Sequence, residues 1–176
     1  MKCSAFLTIC GLLATAAVAQ DFSGSGEIHL INSTNFDSAS LDNRIGCLDA
    51  RGGFSRSNCA TFTRLDVYPN SLSSRVGNCS FTDASQPANT DNPYGAHSYA
   101  FHCRPDFAAS ISETLYTVKG FKQTYLCHGD INCFYDVKNL PDVDVTTPVW
   151  EYLWGSQQVS IPAGHTQVLW YWNKTS

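Results

Sequence analysis

Six cysteines between positions 47 and 133 constrain this chain more than any other feature. Of eight cysteines in 176 residues, Cys3 and Cys10 fall in the N-terminal segment. That segment reads as a secretory signal peptide. Lys2 supplies the positive start, Ala5–Val18 the apolar run, and Ala17-Val18-Ala19 the small-residue cleavage box. Cleavage is expected after Ala19, with Gln20 as the alternative, which leaves residues 20–176 as a single secreted domain. An even set of cysteines in an oxidising compartment reads as three disulfides. Many connectivities are possible, and the sequential one is expected. Cys47 and Cys59 flank the Gly52-Gly53 turn. Cys127 and Cys133 flank a five-residue turn in the same way. Cys79 and Cys103 remain. Zinc is the weaker use of these thiols, because no C-x-x-C pair exists and His128 beside Cys127 has no partner motif. No cofactor motif and no metal site are expected.

Disulfides compensate for small cores, but this chain also has the material for a real one. Hydrophobic residues make up 43% and aromatics 12%, against 15% charged. That balance excludes a disordered chain. Eleven basic against fifteen acidic residues give a net charge of -4, and no basic run offsets it. Nucleic acid is therefore not an expected partner. The leader is too short for a comfortable membrane span, and no later segment is expected to make one.

Short runs rich in Val, Thr, Tyr, Phe and Trp predict strands. They fall at 27–31, 60–68, 75–81, 97–103, 114–119, 121–127, 133–137, 149–154, 157–161 and 166–172. Turn signals separate them, among them Gly52-Gly53, Pro69-Asn70-Ser71, Leu140-Pro141-Asp142 and Pro162-Ala163-Gly164. In the first run Ile28 and Leu30 share a face. The expected fold is all-β, a small disulfide-bonded sandwich or barrel of short antiparallel strands. No repeat of 20–50 residues is visible in the sequence. Residues 82–95 read as the largest loop, and 107–115 as one or two helical turns.

Candidate chemistry is thin. All four tryptophans lie in the last 27 residues. Strand alternation puts Trp150, Tyr152 and Trp154 on one face, and Trp170 and Trp172 with Val168 on another. Such rows can stack on sugar rings, but aromatics also fill the cores of small β domains, and the inward arrangement is the expected one. His97 and His102 are read as lying on opposite faces of one strand, which is poor geometry for an acid–base pair. Glu151 has an aromatic setting, yet its face makes it an edge charge or a paired one. Gly24-Ser25-Gly26 reads as a flexible N-terminal stretch, and no G-x-S-x-G nucleophile elbow occurs. Three N-glycosylation sequons begin at Asn32, Asn78 and Asn173. Asn78 is the least favourable, since Cys79 beside it is expected to be bridged.

The run Gly46-Cys47-Leu48-x-Ala50-x-Gly52, then Cys59-Ala60-x-Phe62-Thr63 and Gly77-x-Cys79-x-Phe81, resembles small secreted cysteine-rich proteins of filamentous fungi, including effector candidates. The resemblance implies an extracellular, virulence-type glycoprotein, and no particular chemistry. Cys47-Leu48-Asp49-Ala50-Arg51-Gly52 is also similar to the C-L-D-x-x-G start of a ricin-type β-trefoil repeat. That family binds galactose-type sugars and repeats the motif with a Q-x-W; here neither recurs. The expected function is binding at an extracellular or host interface, to an unidentified protein or a polysaccharide. A lectin-like module using Trp150, Tyr152, Trp154, Trp170 and Trp172 is the alternative. A small hydrolase using Glu151 or a histidine pair is the second alternative.

Overall fold

The computed structural model describes residues 21–67, 70–93, 95–108, 113–129, 133–153 and 160–176. The leader, Trp154, residues 157–159 of the expected run 157–161, and residues 109–112 of the expected helical turn at 107–115 lie outside the described residues. Twelve antiparallel strands make up the described fold. They are β1 (Ser25–Asn32), β2 (Arg44–Leu48), β3 (Phe54–Ser55), β4 (Thr61–Arg64), β5 (Leu72–Ser74), β6 (Gly77–Ser80), β7 (His102–Arg104), β8 (Leu115–Thr117), β9 (Tyr125–His128), β10 (Tyr135–Lys138), β11 (Val149–Glu151) and β12 (His165–Lys174). Among the described residues, no helix is long and apolar enough to cross a membrane.

Strand pairing resolves these elements into three successive four-strand units. In each unit the middle strands form a hairpin: β2 with β3, β6 with β7, and β10 with β11. The outer strands form a ring. Around it run β12–β1, β1–β4, β4–β5, β8–β9 and β9–β12. The bond from Leu115 N–H to Asn70 C=O closes the ring between β8 and the approach to β5. The three hairpins then meet pairwise. Phe54 and Thr147 exchange two backbone bonds, Phe101 N–H donates to Val149 C=O, and Cys103 N–H donates to Arg51 C=O. The result is a barrel closed at one end by a cap of three hairpins. Closure removes the edges that open sheets expose. The chain thus repeats a unit in space that it does not repeat in sequence.

Each unit carries one disulfide, and the sequential pairing is the one observed: Cys47–Cys59, Cys79–Cys103 and Cys127–Cys133. Cys79 and Cys103 sit directly opposite each other on β6 and β7. Cys47 and Cys59 tie the first hairpin to the approach of β4. Cys127 and Cys133 join β9 to the approach of β10.

The spine is β1 against β12, in register from Gly26↔Lys174 to Asn32↔Val168. Period-two alternation sorts its side chains. Ile28, Leu30, Val168, Trp170 and Trp172 enter the main core. Ile31, Leu169 and Tyr171 enter a second cluster with Tyr125, covered by Phe36, Phe121 and Phe134. Gly24-Ser25-Gly26 is not a loose tail, since it starts β1. A Cβ at Gly26 would come within 2.9 Å of the Trp172 ring, so this glycine makes room for the indole.

Candidate functional site

The described tryptophans point inward, as expected, which leaves the alternative of an exposed sugar-stacking row without its surface. Trp170 and Trp172 are 0% exposed, and Trp150 and Tyr152 are buried as well. The Trp170 ring stacks on Tyr135 with centroids 3.7 Å apart, and Phe101 meets it edge-on at 4.9 Å. Trp150 turns its Nε1–H to the Pro87 carbonyl at 2.9 Å and lies along the His165 ring. None of these four offers a flat row to a sugar: Trp170 and Trp172 fill the main core, and Trp150 and Tyr152 are buried outside it.

An open recess lies instead where the three hairpins meet. Its volume is about 390 Å³, and all three units line it: Asp49 and Arg51 from the first, Gln86 and His102 from the second, Thr146 and Thr147 from the third. Local sequence explains its floor. Asp49 Oδ1 accepts from the backbone N–H groups of Arg51 and Gly53, both at 2.9 Å. This Asx turn bends the chain into the β2–β3 hairpin. Gly52 has φ +90°, and a Cβ there would meet the Phe101 ring at 2.8 Å. The C-L-D-x-x-G run is therefore a turn that brings Arg51 to the rim. Thr147 Oγ1 is buried without a partner. His102 is held below its ordinary pKa, first by burial and then by Arg51 and Arg104, with Asp83 opposing. At neutral pH the recess offers one carboxylate, one guanidinium, a neutral imidazole, an amide and the Thr146 hydroxyl. That mixture suits a neutral, hydroxyl-rich ligand better than an ion.

The recess wall is pinned from behind. Asn89 donates to Asp136 at 2.9 Å, and Asp136 meets His165 Nδ1 at 2.6 Å. His165 Nε2 lies 3.1 Å from Asp91, which also pairs with Lys138. Burial raises the Asp136 pKa, against the pull of Asn89 and His165. This network ties the 82–95 segment, expected as the largest exposed loop, to β10 and β12.

The expected strand over 97–103 forms only at its end. Gly95–His97 is a 3-10 turn and β7 begins only at His102, so His97 and His102 share no strand. A different cluster does form between the second and third units. His128, at the end of β9, stands between Glu151 of β11 and Glu113, which precedes β8. Its Nδ1 lies 2.5 Å from Glu151 Oε1, and its Nε2 lies 3.5 Å from Glu113 Oε2. His128 is 6% exposed and Glu113 is 2% exposed. Burial alone would lower the His128 pKa, but the two glutamates outweigh it and push it up to about 9. Burial works to raise the Glu113 pKa, yet hydrogen bonds from His128, Ser80 and the Phe81 N–H hold it below the ordinary value. The imidazole fills the gap between the two carboxylates. A glycoside needs that gap for the scissile bond, so the hydrolase reading gains no geometry here.

Glu27, His29 and Cys59 also lie within ligand distance of one another. Cys59 is bonded to Cys47, so it has no thiolate to give. Sequence reasoning missed Glu113 and its pairing with His128, since nothing in the spacing marks them. Comparison with known proteins returns no matching family, no matching curated protein and no matching solved structure.

Proposed function

We propose that this chain is a divergent β-trefoil, secreted and effector-like, that binds a glycan in the recess on the axis of its three hairpins. The observation that carries the reading is the recess itself. It is open, it draws polar groups from all three units, and it holds a buried hydroxyl without a partner. Support for the trefoil comes from the barrel-and-three-hairpin connectivity, together with the C-L-D-x-x-G resemblance. Support for an extracellular site comes from three disulfides and the leader-like N-terminus.

Asp49 shapes its own hairpin, so it is a poor probe. Arg51→Ala, His102→Ala and Thr146→Ala remove ligand-facing groups while leaving the backbone bonds of the hairpins intact. Glycan-array screening followed by NMR titration of the best hit is the test. Binding of a neutral saccharide, weakened about tenfold or more by Arg51→Ala or His102→Ala, is expected; a loss of this size is about 1.4 kcal/mol. Absence of any glycan hit, or variants that bind like the parent, would overturn the reading.

The same reading implies a glycan on the protein itself, at Asn32. That side chain is exposed at the end of β1. Asn78 is half-buried, and its Nδ2, the atom a glycan would occupy, donates to the Phe107 carbonyl at 2.9 Å. Asn173 is half-buried opposite Glu27. Peptide mass spectrometry after enzymatic deglycosylation should find the mark at Asn32 and not at Asn78. Modification of Asn78 in folded, secreted protein would sink this assignment.

A further inference from the structure

A second recess, of about 310 Å³, opens beside the end of β1. It shares no lining residue with the axial recess. Its wall is the 3-10 turn Leu41–Asn43 and the start of β2. Antiparallel register sets Ile31 against Arg44, so the next residue, Asn32, reaches the turn beside Asn43. Asn32 thus lines this recess together with Asp42, Asn43, Arg44 and Ile45, and it is the acceptor of the first sequon. The wall is fixed by its own bonds. Ser40 Oγ accepts from the Asp42 N–H at 3.2 Å and caps the turn. Arg44 donates from Nε to the Gly46 carbonyl at 3.4 Å and from a terminal nitrogen to Cys59 Sγ at 3.1 Å. Further guanidinium N–H groups remain for sugar oxygens. Asp42 and Arg44 balance in charge, and half-buried Ile45 adds apolar surface.

We propose that this recess seats the first N-acetylglucosamine of an N-glycan carried by Asn32, so that the sugar packs as part of the fold. The seat rests on the reading of Asn32 as glycosylated and goes beyond it. Attachment forms a bond from Asn32 Nδ2 to the anomeric carbon of the sugar. It breaks the bond from that carbon to a polyprenyl-pyrophosphate donor, which leaves as the pyrophosphate, and the amide loses one proton. The N-acetylglucosamine ring carries no charge and offers hydroxyls, an amide and a methyl group. Those groups match the balanced Asp42–Arg44 pair, the Asn43 amide and Ile45. The volume is at the low end of the about 300–1,000 Å³ found for ligand sites, which suits one ring rather than a branched chain. A covalent tether on the rim makes seating intramolecular, so a few weak contacts suffice to hold the ring.

The full chain is secreted from a eukaryotic host that adds high-mannose glycans, and peptide mass spectrometry reads occupancy. An unoccupied Asn32 overturns both the glycosylation reading and the seat. With Asn32 occupied, thermal unfolding compares the parent, the parent trimmed by an endoglycosidase that leaves one N-acetylglucosamine, and Thr34→Ala, which abolishes the sequon and keeps Asn32. Thr34 is exposed, so its own substitution costs little. The trimmed form should melt with the parent. Thr34→Ala should melt about 2–4 °C lower, the shift of a modest contact in a domain of this length. Asn43→Ala should lower the midpoint of the glycosylated chain and leave that of Thr34→Ala unchanged. On the unmutated chain, nuclear Overhauser contacts should join the acetyl methyl of the first sugar to the Ile45 side chain. Three results overturn the seat and leave the glycosylation reading standing: a trimmed form that melts like Thr34→Ala, an Asn43→Ala effect that is equal with and without the glycan, or an attached first sugar that makes no contact with Ile45.

Discussion

Replacing Trp170 with alanine is expected to remove about 3–5 kcal/mol of folding stability, the range for losing a large buried aromatic. Trp170 is fully buried and is where rings from two units converge. Tyr135 stacks on it, Phe81 lies nearly parallel at 5.7 Å, and Phe101 meets its edge. Its strand partner Leu30 comes from the first unit. Deleting the indole leaves a void bounded by three rings and the β1/β12 spine, none of which can collapse without opening the barrel. Domains of this size commonly have about 5–15 kcal/mol in total, so the loss would approach the whole margin of a modest one. Urea unfolding of parent and variant, disulfides intact, measures it. A loss under about 1 kcal/mol would show that the ring does not occupy the core. Trp170→Phe, which keeps a ring against Tyr135, should be much milder.

That core was half legible in the sequence. Alternation in Glu27–Ile31 and Thr166–Trp172 identified the two spine strands and the faces of Ile28, Leu30, Trp170 and Trp172. Cysteine spacing gave the three bridges, because each pair flanks or spans one hairpin-like segment. The strands β2, β3 and β5 escaped notice for a physical reason. Arg44–Leu48 contains a glycine and an exposed arginine, Phe54–Ser55 is two residues long, and Leu72–Ser74 is mostly serine. Their pairing comes from neighbours rather than from their own propensity. The three-unit plan was hidden too. Connecting segments differ greatly in length, from two residues between β5 and β6 to more than twenty between β6 and β7, so no fixed period survives.

Functional groups were harder still. The C-L-D-x-x-G motif marked the hairpin that floors the recess, but Gln86, His102 and Thr146 arrive from other units through the cap. Only the pairwise meeting of hairpins puts them together. Glu113 and His128 face each other because β8 pairs with β9, with Leu115 opposite His128. Glu151 joins them from β11. Ligand spacing searches of the kind that exclude zinc fingers read short, local motifs. They are blind to residues collected from separate parts of the chain, so this cluster carries no local signal.

His128→Ala is expected to cost about 3–5 kcal/mol at neutral pH, because it leaves buried carboxylates without their counter-charge. Glu113 is 2% exposed, so it has no route to water for relief. The deficit should shrink as the pH falls and the glutamates take up protons. The parent should show the complementary trend on the alkaline side. The His128 pKa is about 9 folded, against an unfolded value near 6.5. A raised pKa gives stability that is fully present below the unfolded value and is lost as pH rises through the folded one. Stability should therefore decline between about pH 6.5 and 9, by at most about 3.4 kcal/mol at 1.36 kcal/mol per unit. Glu113, with its pKa lowered, contributes in the opposite sense: its share is present above its unfolded pKa and is lost on acidification. Urea midpoints across pH 5–10 for parent and His128→Ala separate these effects. If the two curves run parallel from pH 6.5 to 9, the imidazole is not the charge that holds Glu113 and Glu151 together.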